Sequence, residues 1–308
     1  SLALNGGHFV GPFSSGYLNV SGPVTMPGVG SGYILLVRSG QVRFSGTGSG
    51  YDGIEVRADT TSIGANNAIA PTAVLDLAGN GSPTVPTYFD LNGFNQTLAG
   101  LKNTIAPANL GVVTNSSATA RTLTLDLGAG SYLFSGSIAG NLGLTLSSGT
   151  QTLTGTNAYT GNTTVNGGVL QLAIASLANS STVLVTNGAI LQLDFAETNQ
   201  VAGLVLNGVS QPAGVYNSTT SPTFLAGGGS LKVQSIASNP TNITAVVSGN
   251  QYNLSWPASH IGWTLQTNSV GLHSPASWFP LAGSAATNQV SISINPALPH
   301  VFFRLVYP

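Results

Sequence analysis

The side chains that could carry chemistry in this 308-residue sequence are few, and the densest group of them lies between positions 38 and 59. Positioned carboxylic acids and bases are what general acid–base catalysis requires. The group is therefore a candidate active site for acid–base chemistry. It consists of Arg38, Arg43, Asp52, Glu55, Arg57 and Asp59.

The spacing of these residues also supports a purely structural interpretation. An alternation of apolar and charged residues indicates a strand with one buried side, which places the charges together on the outward side. There they would pair with charges on neighbouring strands as an ion-pair ladder. We favour this interpretation and predict that none of these residues is catalytic. The alternating residues are Ile54, Glu55, Val56, Arg57, Ala58 and Asp59.

Charge is scarce in the rest of the sequence. Only 5% of the residues are charged, compared with about a quarter in an average protein. Residues 127–193 contain no Asp, Glu, Lys, Arg or His, so acid–base chemistry has no groups to use there. The formal net charge of -1 provides no basic surface for a nucleic acid. We predict a protein that is not an enzyme and does not bind nucleic acid.

The sequence contains no pattern that indicates a metal site, a cofactor site or a membrane span. There is no cysteine, and His8, His260, His273 and His300 lack the spacing of metal ligands. No run of about 18 apolar residues occurs that would form a transmembrane helix. We predict no metal site, no cofactor and no transmembrane segment.

Internal repeats predict the fold of most of the chain. The segment NGGVLQL at 166–172 returns as NGAILQL at 187–193, and a period of about 20 residues fits one coil of a parallel β-solenoid. Apolar residues alternate with polar ones around these segments, which predicts short strands with one buried side. The residues predicted to point inward are Leu123, Leu125, Leu127, Leu142, Leu144, Leu146, Leu170, Leu172, Ile174, Leu191, Leu193, Phe195, Leu204 and Leu206.

One segment, LTLSSGTQTLTGTNAYTGNTTVNGGVLQL from Leu144, resembles the autotransporter-associated β-strand repeat. The hallmark of that family is a succession of Leu-Thr-Leu, Gly-x-Asn-x-Tyr-x-Gly, Thr-x-Val and Gly-x-Leu-x-Leu. The segments FDLNGFNQTLAGL before it, and LVLNGVSQPAGVYN and FLAGGGSLKV after it, are similar to the parts that flank the repeat. The matching residues are Gly155, Asn157, Tyr159, Gly161, Thr163 to Val165, Gly168, Leu170 and Leu172.

The resemblance implies a right-handed parallel β-helix. It further implies a secreted or surface-displayed passenger of a bacterial outer envelope, and it implies no reaction. We assign residues 1–235 to this solenoid. The polar stretch at 236–242, which contains a proline, is predicted to be a linker.

Residues 243–308 are predicted to form a small antiparallel β-sandwich. They contain six strand-like segments, ITAVVSG, QYNLSWP, GWTLQTN, SWFPLAG, NQVSISIN and HVFFRLVYP. The domain resembles a fibronectin-III-like or immunoglobulin-like module, in which an early LSW and a final FFRL recur. Alternation with leucines predicts burial of Trp256 and Trp263. Trp278, flanked by prolines, is predicted to be exposed and to contact a glycan.

We predict an extracellular structural protein of a bacterial surface or matrix that associates head to tail into a filament, a homopolymer. The first ten residues carry no Lys, Arg, Asp or Glu, and Arg304 is the one formally charged residue of 243–308, so the two ends have few of the charges that block pairing at sheet edges. Two alternatives are an adhesin that binds glycans and a polysaccharide-active enzyme. The predicted self-association residues are Leu2, Leu4, Phe9, Val10, Phe302, Phe303, Val306 and Tyr307.

Overall fold

The structure, a computed structural model, describes two compact units, Ser1–Val233 and Gln234–Pro308. The described residues are 2–3, 8–10, 17–26, 30, 32, 34–38, 40–57, 59–78, 84–104, 110–234, 239–272 and 277–307. No α-helix occurs among them, and the prediction of an all-β fold is confirmed.

Within the described residues, the first unit contains twenty-eight strands, most of them short. Those of its N-terminal half are β1 (Leu2–Ala3), β2 (His8–Val10), β3 (Tyr17–Val20), β4 (Val24–Thr25), β5 (Ile34–Val37), β6 (Gln41–Phe44), β7 (Gly48–Ser49), β8 (Gly53–Val56), β9 (Thr60–Ile63), β10 (Val74–Asp76), β11 (Thr87–Asp90), β12 (Gln96–Leu98), β13 (Gly100–Lys102) and β14 (Gly111–Thr114). Those of its C-terminal half are β15 (Arg121–Phe134), β16 (Ser137–Gly140), β17 (Leu142–Leu153), β18 (Ala158–Tyr159), β19 (Thr163–Val165), β20 (Val169–Leu172), β21 (Thr182–Val185), β22 (Ile190–Leu193), β23 (Thr198–Val201), β24 (Gly203–Leu206), β25 (Val209–Ser210), β26 (Gly214–Asn217), β27 (Leu225–Gly227) and β28 (Ser230–Val233).

Apart from β25 and β26, these strands stack in parallel on three faces, and most coils contribute one strand or part of a strand to each face. The first face contains β1, β4 and β7, then β12, β15, β17, β19, β21 and β24. The second contains β2, β5, β8, β10 and β13, then the second halves of β15 and β17, then β20, β22 and β27. The third contains β3, β6, β9, β11, β14, β16 and β18, then β23 and β28. The predicted parallel β-solenoid is confirmed.

The interior of the solenoid is one continuous column of aliphatic and aromatic side chains. Every residue predicted from the alternation to point inward is buried, with one exception. Ile174 is 38% exposed, and the prediction for it is wrong. The reason is that β20 ends at Leu172, so the strand alternation no longer governs which way Ile174 points.

The ladder of main-chain hydrogen bonds is interrupted on each face, and side chains bridge the interruptions. On the first face, no described strand pairs between β7 and β12. There the buried amide of Gln96 accepts from Ile69 N at 3.1 Å and donates to Ile69 O at 2.9 Å. The hydroxyl of Tyr51 accepts from Ala70 N at 2.9 Å. A carboxamide can do this because it carries the same donor and acceptor as a peptide group.

Two further buried amides bridge the other faces in the same way. On the second face, between β13 and β15, Gln151 accepts from Leu101 N at 2.9 Å and donates to Leu101 O at 3.0 Å. On the third, between β18 and β23, Asn199 accepts from Leu177 N at 2.8 Å and donates to Leu177 O at 2.9 Å. Buried main-chain groups therefore keep their partners where the strands do not supply them.

Antiparallel strands cover the last coil of the solenoid on two of its faces. On the first face, β25 turns back along β24 through Asn207 and Gly208, both at positive φ. On the third face, β26 runs antiparallel to β28. A parallel stack cannot continue past strands of opposite direction without a change in its hydrogen-bond pattern, so these two strands act as a cap.

The second unit contains six strands in two antiparallel sheets. They are β29 (Thr244–Ser248), β30 (Gln251–Ser255), β31 (Thr264–Asn268), β32 (Phe279–Pro280), β33 (Gln289–Ser293) and β34 (Phe302–Val306). The sheet orders are β29-β30-β33 and β32-β31-β34, and Leu254, Trp256 and Leu265 form their shared core. His260 Nε2 lies 2.7 Å from Asn239 O, within the stretch predicted to be a linker. Likeness to fibronectin-III or immunoglobulin modules stays a prediction.

The bridging role of Gln151 predicts the effect of removing its amide. Gln151→Leu leaves the buried N–H and C=O of Leu101 without partners, and each such group costs roughly 1–3 kcal/mol. We expect the free energy of unfolding to fall by about 2–4 kcal/mol, measured by urea denaturation followed by circular dichroism. Gln200→Leu is the matched control, because Gln200 is exposed on β23. Equal shifts of the urea midpoint in the two variants would contradict the bridging role.

Candidate functional site

The charged residues singled out in the sequence lie in different places on the solenoid. Glu55 and Arg57 stand on the outward side of the second face, where they form an ion pair with each other. Arg43 belongs to β6 on the third face. Asp59 does not continue the alternation of β8, because its φ of 47° places it at the corner before β9. Arg38 also lies at a corner, between β5 and β6.

A cross-coil ion pair exists, but it uses residues that the sequence did not group. Leu36, Glu55, Asp76 and Lys102 stand in one outward column, in register across β5, β8, β10 and β13. Lys102 Nζ lies 3.6 Å from the carboxylate of Asp76. These partners come from separate coils, so only the register of the solenoid brings them together.

Asp76 is the most buried carboxylate of this column, with 5% of its surface exposed. It accepts hydrogen bonds from Thr104 N at 3.1 Å and from Thr104 Oγ1 at 2.7 Å. Burial raises the pKa of Asp76, and the Thr104 hydrogen bonds and the charge of Lys102 offset only part of this effect. The ionised form of Asp76 is therefore disfavoured by folding.

Asp52 has a structural task at the start of the second face. Its two carboxylate oxygens accept hydrogen bonds from Gly30 N and Gly32 N, each at 2.7 Å. A carboxylate that accepts two main-chain N–H groups fixes the turn that supplies them. This residue holds neighbouring coils together through its own hydrogen bonds.

A groove of about 330 Å³ lies on the outward side of the second face. Its floor is the column of Gly53 and Val74, and beside it lie Glu55, Asp76 and Lys102. Tyr132 closes one side. Two of the residues singled out in the sequence, Asp52 and Glu55, line this groove. The sequence did not link them to Val74 or Tyr132, because a strand residue and a tyrosine more than 50 positions later carry no common pattern.

Neither the groove nor any other part of the described chain assembles metal ligands. Among the residues placed by the structure, no group of three or more His, Cys, Asp or Glu side chains could hold a metal ion. His260 is buried, with Nδ1 3.1 Å from Ser259 Oγ and its ring 5.3 Å from Trp263. His273 lies outside the described residues.

Trp278 in the second unit is half-buried against a cation. The guanidinium carbon of Arg304 lies 4.3 Å from the centre of the indole ring, and Arg304 Nε donates to Gln266 Oε1 at 2.8 Å. A glycan at Trp278 would therefore have to use the opposite ring face. The glycan contact stays a prediction. Trp256 and Trp263 are buried, as their alternation with leucines indicates.

Six of the eight residues predicted to mediate self-association lie in edge strands. Leu2 belongs to β1, and Phe9 and Val10 to β2, which pair with β4 and β5 respectively. Leu4 lies outside the described residues.

At the other end, β34 pairs with β31 and forms one edge of its sheet. Phe302, Phe303 and Val306 are half-buried, and Phe303 packs against the core of the unit. Tyr307 is 51% exposed and its ring lies 5.4 Å from Trp263. Self-association through these residues stays a prediction.

The segment that resembles the autotransporter-associated repeat forms a full coil through β17, β18, β19 and β20. Tyr159 is buried, and its hydroxyl lies 2.7 Å from Thr163 Oγ1 inside the solenoid. Asn157 accepts from Ile138 N at 3.1 Å. A β-carbon at Gly155 would lie 2.0 Å from Gly136 O in the preceding coil, so only glycine fits there.

A comparison with protein families decides the nature of this coil. Residues 146–172 match the passenger-associated-transport-repeat family. Together with the parallel solenoid, the passenger-associated-transport-repeat supports a passenger-type β-helix repeat protein. No curated protein and no solved structure matched the chain. No helix among the described residues is long and apolar enough to span a membrane.

The hydrogen bond between Tyr159 and Thr163 predicts that substitutions at these two residues of the passenger-associated-transport-repeat have non-additive effects on stability. Tyr159→Phe removes one partner and leaves a buried hydroxyl unpaired, which costs about 1–3 kcal/mol. Thr163→Val alone leaves the tyrosine hydroxyl unpaired at similar cost. We expect the double variant to be less destabilised than the sum of the two single variants, in urea midpoints of all four proteins. Additive shifts would show that the two hydroxyls do not stabilise each other.

The raised pKa of Asp76 predicts a pH dependence of stability. Because the folded-state pKa lies above the usual value of 3.8, the stability linked to Asp76 is fully present below that value and is lost as the pH rises through the folded pKa. Asp76→Asn removes this component. The melting temperature of the wild type minus that of Asp76→Asn should therefore be larger at about pH 4 than at about pH 7. A melting-temperature difference that is larger at the higher pH would contradict the raised pKa of Asp76.

Proposed function

We propose that this chain is a noncatalytic structural protein of the bacterial cell surface or extracellular matrix. The observation that carries the proposal is the passenger-associated-transport-repeat at residues 146–172, placed on a coil of a parallel solenoid. Within that coil, Asn157, Tyr159 and Thr163 direct their polar groups to the protein's own interior. The repeat therefore provides a building unit for the stack, and the function follows from the shape of the stack.

The chemistry of the charged side chains supports the noncatalytic part of the proposal. Asp52 is bonded to two main-chain N–H groups, Glu55 to Arg57, and Asp76 to Thr104 and Lys102. Catalytic carboxylates must be free to exchange a proton with a substrate, whereas these three stabilise turns and coils. The uncharged stretch at 127–193 adds no further acid or base.

We further propose that copies of this protein associate head to tail. Within the described residues, β1, β2 and β3 each pair on one side only, as does β34 in the second unit. Such edges present unpaired N–H and C=O groups to another strand. The cap of β25 and β26 leaves β27 as the described strand at the C-terminal end of the solenoid without a covering strand. The complementary edges that we propose are the N-terminal strands β1, β2 and β3 of one copy and the C-terminal strand β34 of the next.

Immunogold electron microscopy of the source bacterium tests both proposals in one experiment. Antibodies against the chain should label the outside of intact cells or material released from them, and the label should follow fibres. Label confined to the cytoplasm would contradict the surface proposal. Dispersed surface label, together with a single species near 31.0 kDa in light scattering of the purified chain, would leave the surface proposal standing and refute head-to-tail association.

A further inference from the structure

We propose that the groove on the second face is a binding site for a neutral, hydroxyl-rich oligosaccharide. This inference is independent of the surface location proposed above, since it concerns only the side chains around the groove. Its volume of about 330 Å³ lies at the small end of the range for ligand pockets and suits a short segment of a sugar chain.

The floor of the groove carries no side chain at Gly53, an outward position on β8 that lines it. Gly53 on β8 and Gly100 on β13 flank Val74 on β10, in register. Outward positions on neighbouring coils carry full side chains, such as Ile34 on β5. A glycine inside a strand often marks a place where a ligand approaches the backbone closely. The missing side chain at Gly53 therefore leaves a gap between the side chains of Ile34 and Val74.

An aromatic ring closes the groove because the sheet is interrupted beside it. Between β13 and β15, Gln151 replaces the main-chain ladder. The ring of Tyr132 lies over Gly100, where a β-carbon would come within 2.4 Å of its Cδ2 atom. Tyr132 is only half-buried and lines the groove. It offers an apolar ring for the C–H groups of a sugar and a hydroxyl for its polar edge.

The polar side chains around the groove favour hydroxyl donors over acidic sugars. Asp52, Glu55 and Asp76 provide carboxylate oxygens, while Lys102 is the cation among the described lining residues. Each carboxylate has about four acceptor positions, and the internal contacts described above occupy only some of them. Sugar hydroxyls can donate to the remaining positions. A uronic acid would instead add a negative charge to a lining in which carboxyl groups outnumber the single lysine, which is unfavourable.

The chain provides a substitution that fills the groove without disturbing the strand. A β-carbon at Gly53 would meet Ile34 Cγ1 at 3.4 Å and Val74 O at 3.5 Å, which are ordinary contacts. Gly53→Val therefore fits the backbone and suits a strand, but places a branched side chain on the floor. Gly214→Val is the matched control, because Gly214 lies on β26, where the nearest atom would be 3.6 Å away.

The test is a titration of the full chain with hexasaccharides of glucose, xylose and mannose, and with a galacturonate hexasaccharide, by isothermal calorimetry. We expect at least one neutral hexasaccharide to bind, the galacturonate to bind more weakly, and Gly53→Val to weaken binding by about tenfold or more. Tyr132→Leu should weaken it similarly, and Gly214→Val should leave it unchanged. Circular dichroism melting of each variant establishes that it is folded.

Three results would overturn the proposal. One is that none of the neutral hexasaccharides binds the wild-type chain. Another is that the galacturonate binds more tightly than every neutral probe. The third is that binding survives in folded Gly53→Val and Tyr132→Leu but is lost in Trp278→Ala, which would locate the sugar site in the second unit.

Discussion

The solenoid depends on one constraint, which is that every buried main-chain N–H and C=O must have a partner in the next coil. Parallel pairing satisfies most of them from Leu2 to Val233. Where strands do not pair, Gln96, Gln151 and Asn199 satisfy the remaining groups with their own amides. Without these side chains each interruption would bury polar groups at a cost of about 1–3 kcal/mol each. The hydrophobic column continues past these interruptions because the amides pair the buried main-chain groups of Ile69, Leu101 and Leu177.

The same constraint explains why a family repeat can be specific in sequence and carry no reactive group. Neighbouring coils lie so close together that Gly155 admits no side chain. The interior is so apolar that the polar groups of Asn157 and Tyr159 need partners inside the protein. These demands fix residue types as strictly as catalysis would. The passenger-associated-transport-repeat is in this sense a description of one coil.

Much of this architecture could be predicted from the sequence, because its signals are local. Alternation within a strand predicted the buried leucines from Leu123 to Leu206, and it was wrong for Ile174 only because that pattern does not show where a strand ends. The groove could not be predicted in this way. Glu55, Asp76 and Lys102 become neighbours through register between coils of unequal length, and sequence spacing carries no information about that register. The inward amides do leave a trace, since Gln96 and Gln151 each stand two positions before a buried leucine in the same Gln-Thr-Leu triplet.

The bridges have a consequence for how such a protein can change in length during evolution. A coil paired on both sides by main-chain hydrogen bonds can be duplicated or deleted, and the new neighbours will pair as the old ones did. Gln151 reaches Leu101 across 50 residues of sequence and past an intervening coil. A duplication inside that interval would carry the amide out of reach of its partner. We therefore expect descendants of this sequence to gain or lose coils in the parts of the solenoid that no bridge spans. Within an interval that a bridge spans, the number of coils should stay constant.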